Sequence, residues 1–138
     1  MYFGIPGIGA ICHTVNPRLF VEQIIYIINN AQDVALFYSA DFQELVDKVR
    51  PHCPSVRHWL CLDSADASVP SDYEALIAQH AGDMAWPEFD ERSDAFLCYT
   101  SGTTGQPKGV LYTHRSTVIH AYAVSLPDAQ NVSALSVL

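Results

Sequence analysis

Short apolar runs bounded by turn residues recur along the chain with helix-patterned stretches between them, and this alternation restricts the possible folds more than any other feature. The runs are Ala10 to Val15, Val34 to Tyr38, Val56 to Leu62, Ala95 to Thr100 and Gly109 to Tyr112. They are rich in Val, Leu, Phe, Tyr and Cys and do not alternate with polar residues, the pattern of strands covered on both faces. Between the first two runs, Phe20, Ile24, Ile27, Ile28 and Ala31 recur at the spacing of one helix face, and Asn16 followed by Pro17 predicts where that helix starts. A second helix is expected from Asp41 towards Arg50. There Asp41 and Glu44 stand as a capping-box variant, Phe42, Leu45, Val46 and Val49 lie on one side, and Pro51 and Pro54 close it. A third begins at Ser71, which has Glu74 at capping-box spacing and Tyr73, Leu76 and Ile77 as its apolar residues. Strand, helix, strand, helix, strand implies right-handed crossovers, hence an α/β fold with a mainly parallel sheet and flanking helices.

At 138 residues, 49% hydrophobic and 16% charged, the chain can bury one core and is not divided into domains. Seven Lys and Arg against fifteen Asp and Glu give a formal charge of -8, which argues against nucleic acid or an anionic membrane as partner. The longest apolar stretches, such as Ile24 to Ile28, fall far short of the roughly 20 residues a membrane span needs. No basic cluster opens the chain, and Pro6, Gly7 and Gly9 interrupt its first apolar residues, so no secretory leader is expected and the reading is cytoplasmic. Cys12, Cys53, Cys61 and Cys98 show no Cys-x-x-Cys pair and no His in metal-ligand order, so buried reduced thiols are expected and no metal site. Asp63 to Asp94 holds nine of the fifteen acids and a single base, Arg92, and reads as solvated surface. His13, His52, His58 and His80 are scattered and receive no role, and Arg18 is read as holding a loop.

The informative segment follows the fourth apolar run: Thr100-Ser101-Gly102-Thr103-Thr104-Gly105-Gln106-Pro107-Lys108-Gly109. Its glycines let the backbone turn sharply, and its hydroxyls and main-chain N–H groups can converge on one concave space that suits an anion. Lys108 adds a compact positive charge, and from Tyr99 through Tyr122 there is no acid to compete for it. The Walker A loop is excluded, because Lys108 is followed by Gly109 rather than Ser or Thr and the glycine spacing differs. Composition alone would also fit a plain Gly- and Thr-rich hairpin with an exposed lysine.

Tyr99 to Val110 resembles, position for position, the phosphate-binding signature of the AMP-forming adenylating enzymes, which include acyl-CoA synthetases, firefly luciferase and peptide-synthetase adenylation domains. Tyr2 to Gly7, His13 to Leu19, Trp86 to Asp90 and Tyr112 to Ser116 resemble the medium-chain acyl-CoA synthetase branch, which includes the 3-methylmercaptopropionyl-CoA ligases, so the likeness covers nearly the whole chain. The resemblance implies a partial AMP-binding (adenylation) domain over residues 1–138, carrying part of the sheet of the large N-terminal domain. It also implies a two-step reaction in which a carboxylic acid and ATP with Mg2+ give an acyl-adenylate and pyrophosphate, and CoA then displaces AMP. By the same carry-over Thr100, Ser101, Thr103 and Thr104 donate hydroxyls to the β- and γ-phosphates, Gly102 and Gly105 let the backbone close, and Lys108 neutralises the departing pyrophosphate. Preorganised donors of this kind are worth roughly 2.7 to 4 kcal/mol each in other enzymes. No catalytic nucleophile and no metal-ligating residue is expected in this chain.

His114, Arg115 and His120 follow the loop on an expected helix with Val118, Ile119, Tyr122, Ala123 and Leu126 on its apolar side. His114 is read either as capping the loop or as a satisfied junction histidine. The family's adenine- and magnesium-binding segment, its ribose-binding segment, its hinge and its C-terminal domain have no counterpart here, so an internal fragment that does not form acyl-adenylate by itself is expected. Two further readings stand beside it: a non-catalytic remnant or interaction fragment, and a piece of an adenylating enzyme whose acceptor is not CoA. The acid substrate and the oligomeric state are not legible.

Overall fold

A computed structural model describes residues 1–64, 71–80, 82–100 and 106–126. In chain order these form α1 (Gly4–Gly7), β1 (Cys12–Thr14), α2 (Val21–Ala31), β2 (Ala35–Tyr38), α3 (Gln43–Val49), β3 (His58–Cys61), α4 (Asp72–Ile77), β4 (Asp94–Thr100), β5 (Lys108–Thr113) and α5 (His114–Ser125). Single 3-10 turns at Ala40–Phe42 and Arg50–His52 flank α3. All five expected strands are present, and so are the four expected helices.

The strands divide between two sheets. β2 and β3 pair in parallel, with Ala35 opposite His58 and Tyr38 opposite Cys61. The second sheet has the order β1-β4-β5. The link between β4 and β5, residues 101–107, is too short for a parallel crossover, so these two neighbouring strands form a hairpin within the α/β fold. Coverage differs from the sequence expectation at one strand, because β5 is exposed from Lys108 to Tyr112. Its apolar run marks a strand with no layer packed over it among the described residues.

The chain divides into two compact units. One comprises residues 13–85 and 98–109, the other 1–12, 86–97 and 110–138. In the first, Ile24, Ile27, Ile28, Val49, Cys53 and Val56 form the buried core, with Val15, Leu36, Leu45, Trp59 and Tyr99 packed around them. Ile24, Ile27 and Ile28 fall on one face of α2, as the spacing predicts. Phe20 does not join them. It is 78% exposed and stands at the N-cap, where the Gln23 side chain turns back to accept its N–H at 3.3 Å. The helix thus begins later than Asn16-Pro17 suggests, because the Asn16 carboxamide accepts the Arg18 N–H at 3.0 Å and makes a turn of its own. α2 closes with Gln32 in the left-handed region (φ 55°) and the Asp33 N–H returning to the Ile28 carbonyl.

The turn after β2 is capped from far away. Asp63 accepts the Ala40 N–H at 2.6 Å and the Ser39 hydroxyl at 2.7 Å, in place of the expected Asp41 and Glu44 box, which makes no side-chain cap. α4 matches expectation, since the Ser71 hydroxyl accepts the Glu74 N–H. The Asp72 carboxylate also accepts the Cys61 N–H at 3.1 Å, fastening α4 to β3. None of the four cysteines is joined in a disulfide; Cys12 and Cys53 are buried, whereas Cys61 and Cys98 are only partly covered.

In the second unit, Tyr2 stacks on Phe96 with centroids 4.5 Å apart. The opening glycines do not prevent a helical turn, α1, in which Gly7 lies against Trp86 so closely that a Cβ there would stand 2.5 Å from the indole Cζ3. Asp90 organises the turn before β4 by accepting the Arg92 N–H on its side chain and the Ser93 N–H on its carbonyl. Thr113 caps α5 by accepting the Ser116 N–H.

Candidate functional site

Of the loop residues singled out by sequence, Thr100 and Lys108 are described, while Ser101, Gly102, Thr103, Thr104 and Gly105 lie outside the described residues. Thr100 is the last residue of β4 and Lys108 the first of β5. The hairpin brings these ends together, with Thr100 Oγ1 lying 3.5 Å from the Lys108 carbonyl oxygen. Both residues are exposed, whereas Pro107 between them is buried. Pro107 and Gln106 help line a hollow of about 260 Å³ with Glu22, Gln23 and Tyr26 of α2. The foot of the loop is therefore anchored through its proline, and the lysine ammonium is left accessible.

Strand β4, which leads into the loop, is held by side chains distant in sequence. Tyr99 donates its hydroxyl to Asn30 Oδ1 at 2.6 Å. Burial raises the pKa of that hydroxyl above the ordinary phenol value, with the nearby Asp33 carboxylate and Tyr26 adding to the effect. One residue earlier, Cys98 Sγ is 3.2 Å from Thr14 Oγ1. Thr14, Cys98 and Tyr99 also line a second hollow of about 260 Å³ with Val15, Asn16, Leu19 and Ile27.

His13, given no role on sequence grounds, sits in this network. Its Nδ1 donates to both carboxylate oxygens of Asp33, at 2.8 and 3.0 Å, and its ring lies 5.2 Å from that of Tyr99. The signal that could have found it is the pairing of a β1 residue with the residue just past a left-handed helix cap, twenty positions on. His114 falls at the junction of β5 and α5, as expected. Its ring packs on Phe89 at 4.6 Å, its N–H reaches the Ser93 carbonyl, and its Nε2 is buried without a partner among the described residues. Next to it Arg115 pairs with Glu91 at 2.6 Å. Among the described residues no three His, Cys, Asp or Glu side chains could hold a metal ion. None of the helices formed by them is long and apolar enough to cross a membrane.

This α/β scaffold, with its Gly- and hydroxyl-rich hairpin, belongs to a family of nucleotide-using enzymes. The family model for AMP-binding enzymes matches residues 1–138, and the chain is a member of that family. It is 46% identical over 144 residues to a 3-methylmercaptopropionyl-CoA ligase of Ruegeria lacuscaerulensis, a match covering 100% of this chain and 27% of that protein. It is 43% identical over 140 residues to a medium-chain-fatty-acid–CoA ligase of Ectopseudomonas oleovorans, covering 97% of this chain and 26% of the relative. The chain thus spans about a quarter of the length of the curated relatives it matches. Among solved structures, the N-terminal domain of FACL13 from Mycobacterium tuberculosis aligns with a TM-score of 0.75 at 28% identity, over 91% of this chain and 31% of that one. An anthranilate CoA ligase in complex with anthranoyl-AMP aligns with a TM-score of 0.80 over 91% of this chain and 24% of that one; at 24% identity it shares the fold.

Proposed function

We propose that residues 99–110 form the phosphate-binding loop of an AMP-forming acid–thiol ligase that activates a fatty or related carboxylic acid with ATP and passes the acyl group to CoA. The observation that carries this reading is the hairpin that brings Thr100 and Lys108 together at the two ends of the hydroxyl and glycine run. Its electrostatics add support, since no acid occurs between Tyr99 and Leu126 in a chain of net charge -8. In that role the hydroxyls of Thr100, Ser101, Thr103 and Thr104 donate to phosphate oxygens. Gly102 and Gly105 admit the backbone N–H groups, and the Lys108 ammonium balances charge that grows on pyrophosphate as the acid displaces it.

The residues at the loop fit a triphosphate tail. They offer hydroxyls but no carboxylate, so a Mg2+ ion carried in with the nucleotide would draw few ligands from this loop. When bound, the ion supplies further neutralisation of the β- and γ-phosphates. Four cysteines without a disulfide among them fit a reducing, cytoplasmic setting.

Calorimetric titration of the 138-residue chain with inorganic pyrophosphate and with MgATP tests the loop. Binding is expected, and Lys108→Ala is expected to weaken it about tenfold or more, the scale of one charge-assisted contact. Equal binding by the parent and Lys108→Ala would overturn the assignment. ATP–pyrophosphate exchange with medium-chain acids is expected to stay at background for these 138 residues, because they hold one end of the nucleotide only.

A further inference from the structure

The C-terminal end of α2 holds two strands at once. Asn30, in its last turn, accepts the Tyr99 hydroxyl of β4, and Asp33, just past the left-handed Gln32, accepts Nδ1–H of His13 on β1. The His13 side chain is only 6% exposed, and that of Asp33 16%. With Nδ1 donating to both Asp33 oxygens, the imidazole plane is fixed, and the ring meets Tyr99 at an interplanar angle of 42°. His13 Nε2 is buried with no partner among the described residues. An apolar filler would avoid the desolvation cost of such an atom, so packing alone does not account for a histidine here.

We propose that the His13–Asp33 pair is a positioning element for the phosphate loop, acting through Tyr99, an inference that rests on the loop reading above. Tyr99 immediately precedes Thr100, and side chains alternate along a strand. Fixing the Tyr99 ring on one face of β4 therefore fixes the direction in which the Thr100 hydroxyl leaves the other. His13 and Thr14 of β1 thus hold two consecutive residues of β4, Tyr99 through its ring and Cys98 through its thiol. The strand end that launches the loop is held from the side before any ligand arrives, and donors placed in advance bind phosphate without an ordering cost.

The test compares the parent chain with Lys108→Ala, His13→Asn, Asp33→Asn and Tyr99→Leu, and with the His13→Asn/Tyr99→Leu double variant. Each is titrated with inorganic pyrophosphate, and its urea midpoint is recorded alongside. His13→Asn and Asp33→Asn are each expected to weaken binding about tenfold, and the double variant no more than Tyr99→Leu alone, the mark of residues that act in series. Asp33→Asn keeps the side-chain shape and decides the matter if His13→Asn lowers the urea midpoint. Without ligand, the backbone amide resonances of Thr100 and Lys108 are expected to move in Asp33→Asn. Unchanged affinity in Asp33→Asn with unmoved Thr100 and Lys108 amides, while Lys108→Ala weakens binding, would overturn the positioning role and leave the loop reading standing. Equal pyrophosphate binding by the parent and Lys108→Ala would overturn the loop reading, and the positioning role would fall with it.

Discussion

Tyr99 donates a hydroxyl hydrogen bond to Asn30 Oδ1 at 2.6 Å, a bond between residues 69 positions apart that joins the last turn of α2 to the strand leading into the proposed phosphate loop. Tyr99→Phe keeps the ring and leaves Asn30 free to meet water, since Asn30 is exposed. The expected loss is about 1 kcal/mol, typical of one such bond, read as a lower urea midpoint with an unchanged slope. A midpoint equal to the parent's would show that the bond adds nothing to folding.

The core of the same unit is far less forgiving. Ile28 is 0% exposed and Ile27 1%, so Ile28→Ala removes buried methylenes and leaves a cavity, costing about 2–5 kcal/mol. Ile119 on α5 is 55% exposed, and Ile119→Ala is expected to fall within about 0.5 kcal/mol of the parent. Thermal melts of the two variants side by side check the contrast, which comparable losses would contradict.

Acid should act through Asp63. The Ala40 N–H first, then the Ser39 hydroxyl and the Cys61 thiol, hold its carboxyl below the ordinary carboxylate range. A group whose pKa is depressed on folding adds stability above its unfolded value, near 4, and that contribution disappears as pH falls through the folded value. Asp63→Asn should therefore be less stable than the parent at pH 7, with the gap closing below about pH 4. Urea midpoints at neutral and acidic pH measure it; a gap independent of pH would assign the effect to shape rather than charge.

Lys108 is exposed, so its attraction for phosphate is screened by salt. Pyrophosphate affinity should fall as ionic strength rises, and Lys108→Gln should show a shallower dependence as well as weaker binding. Parallel salt series for the two proteins would place the charge elsewhere.

The Ser71 hydroxyl, in a residue only 7% exposed, caps α4. Ser71→Ala is expected to cost about 0.5–2 kcal/mol, whereas Ser71→Asp retains the acceptor and most of the stability. Circular dichroism during urea unfolding separates them, and equal losses would mean that burial of the small side chain, not the cap, matters at this position.

What could be read from the sequence was local. Ser71 and Glu74 lie three residues apart, and the cap forms as that spacing predicts; the α2 isoleucines recur at helical intervals and are buried. The glycine- and hydroxyl-rich run between β4 and β5 stood out by composition and by resemblance, although the sequence offered the hairpin only as the plainer alternative. Interactions that close over long separations left no such trace: Asp63 caps a turn more than twenty residues earlier, and His13 finds Asp33 and Tyr99 only after β1, α2 and β4 have come together. Asn16 and Phe20 show a different limit, since an Asn before Pro can start a helix or make its own turn, and local preference does not choose between them. β5 shows a third, because an apolar run reports what a strand is suited to lie beneath rather than what does lie there.

Cys53 turns the core into a recorder of its own opening. Its residue is 1% exposed, and burial, helped by the Asp33 carboxylate, pushes its thiol above the usual range. An alkylating reagent in the solvent will find Cys61 and Cys98 first. The rate at which Cys53 is labelled under native conditions then counts how often α2 and α3 part company.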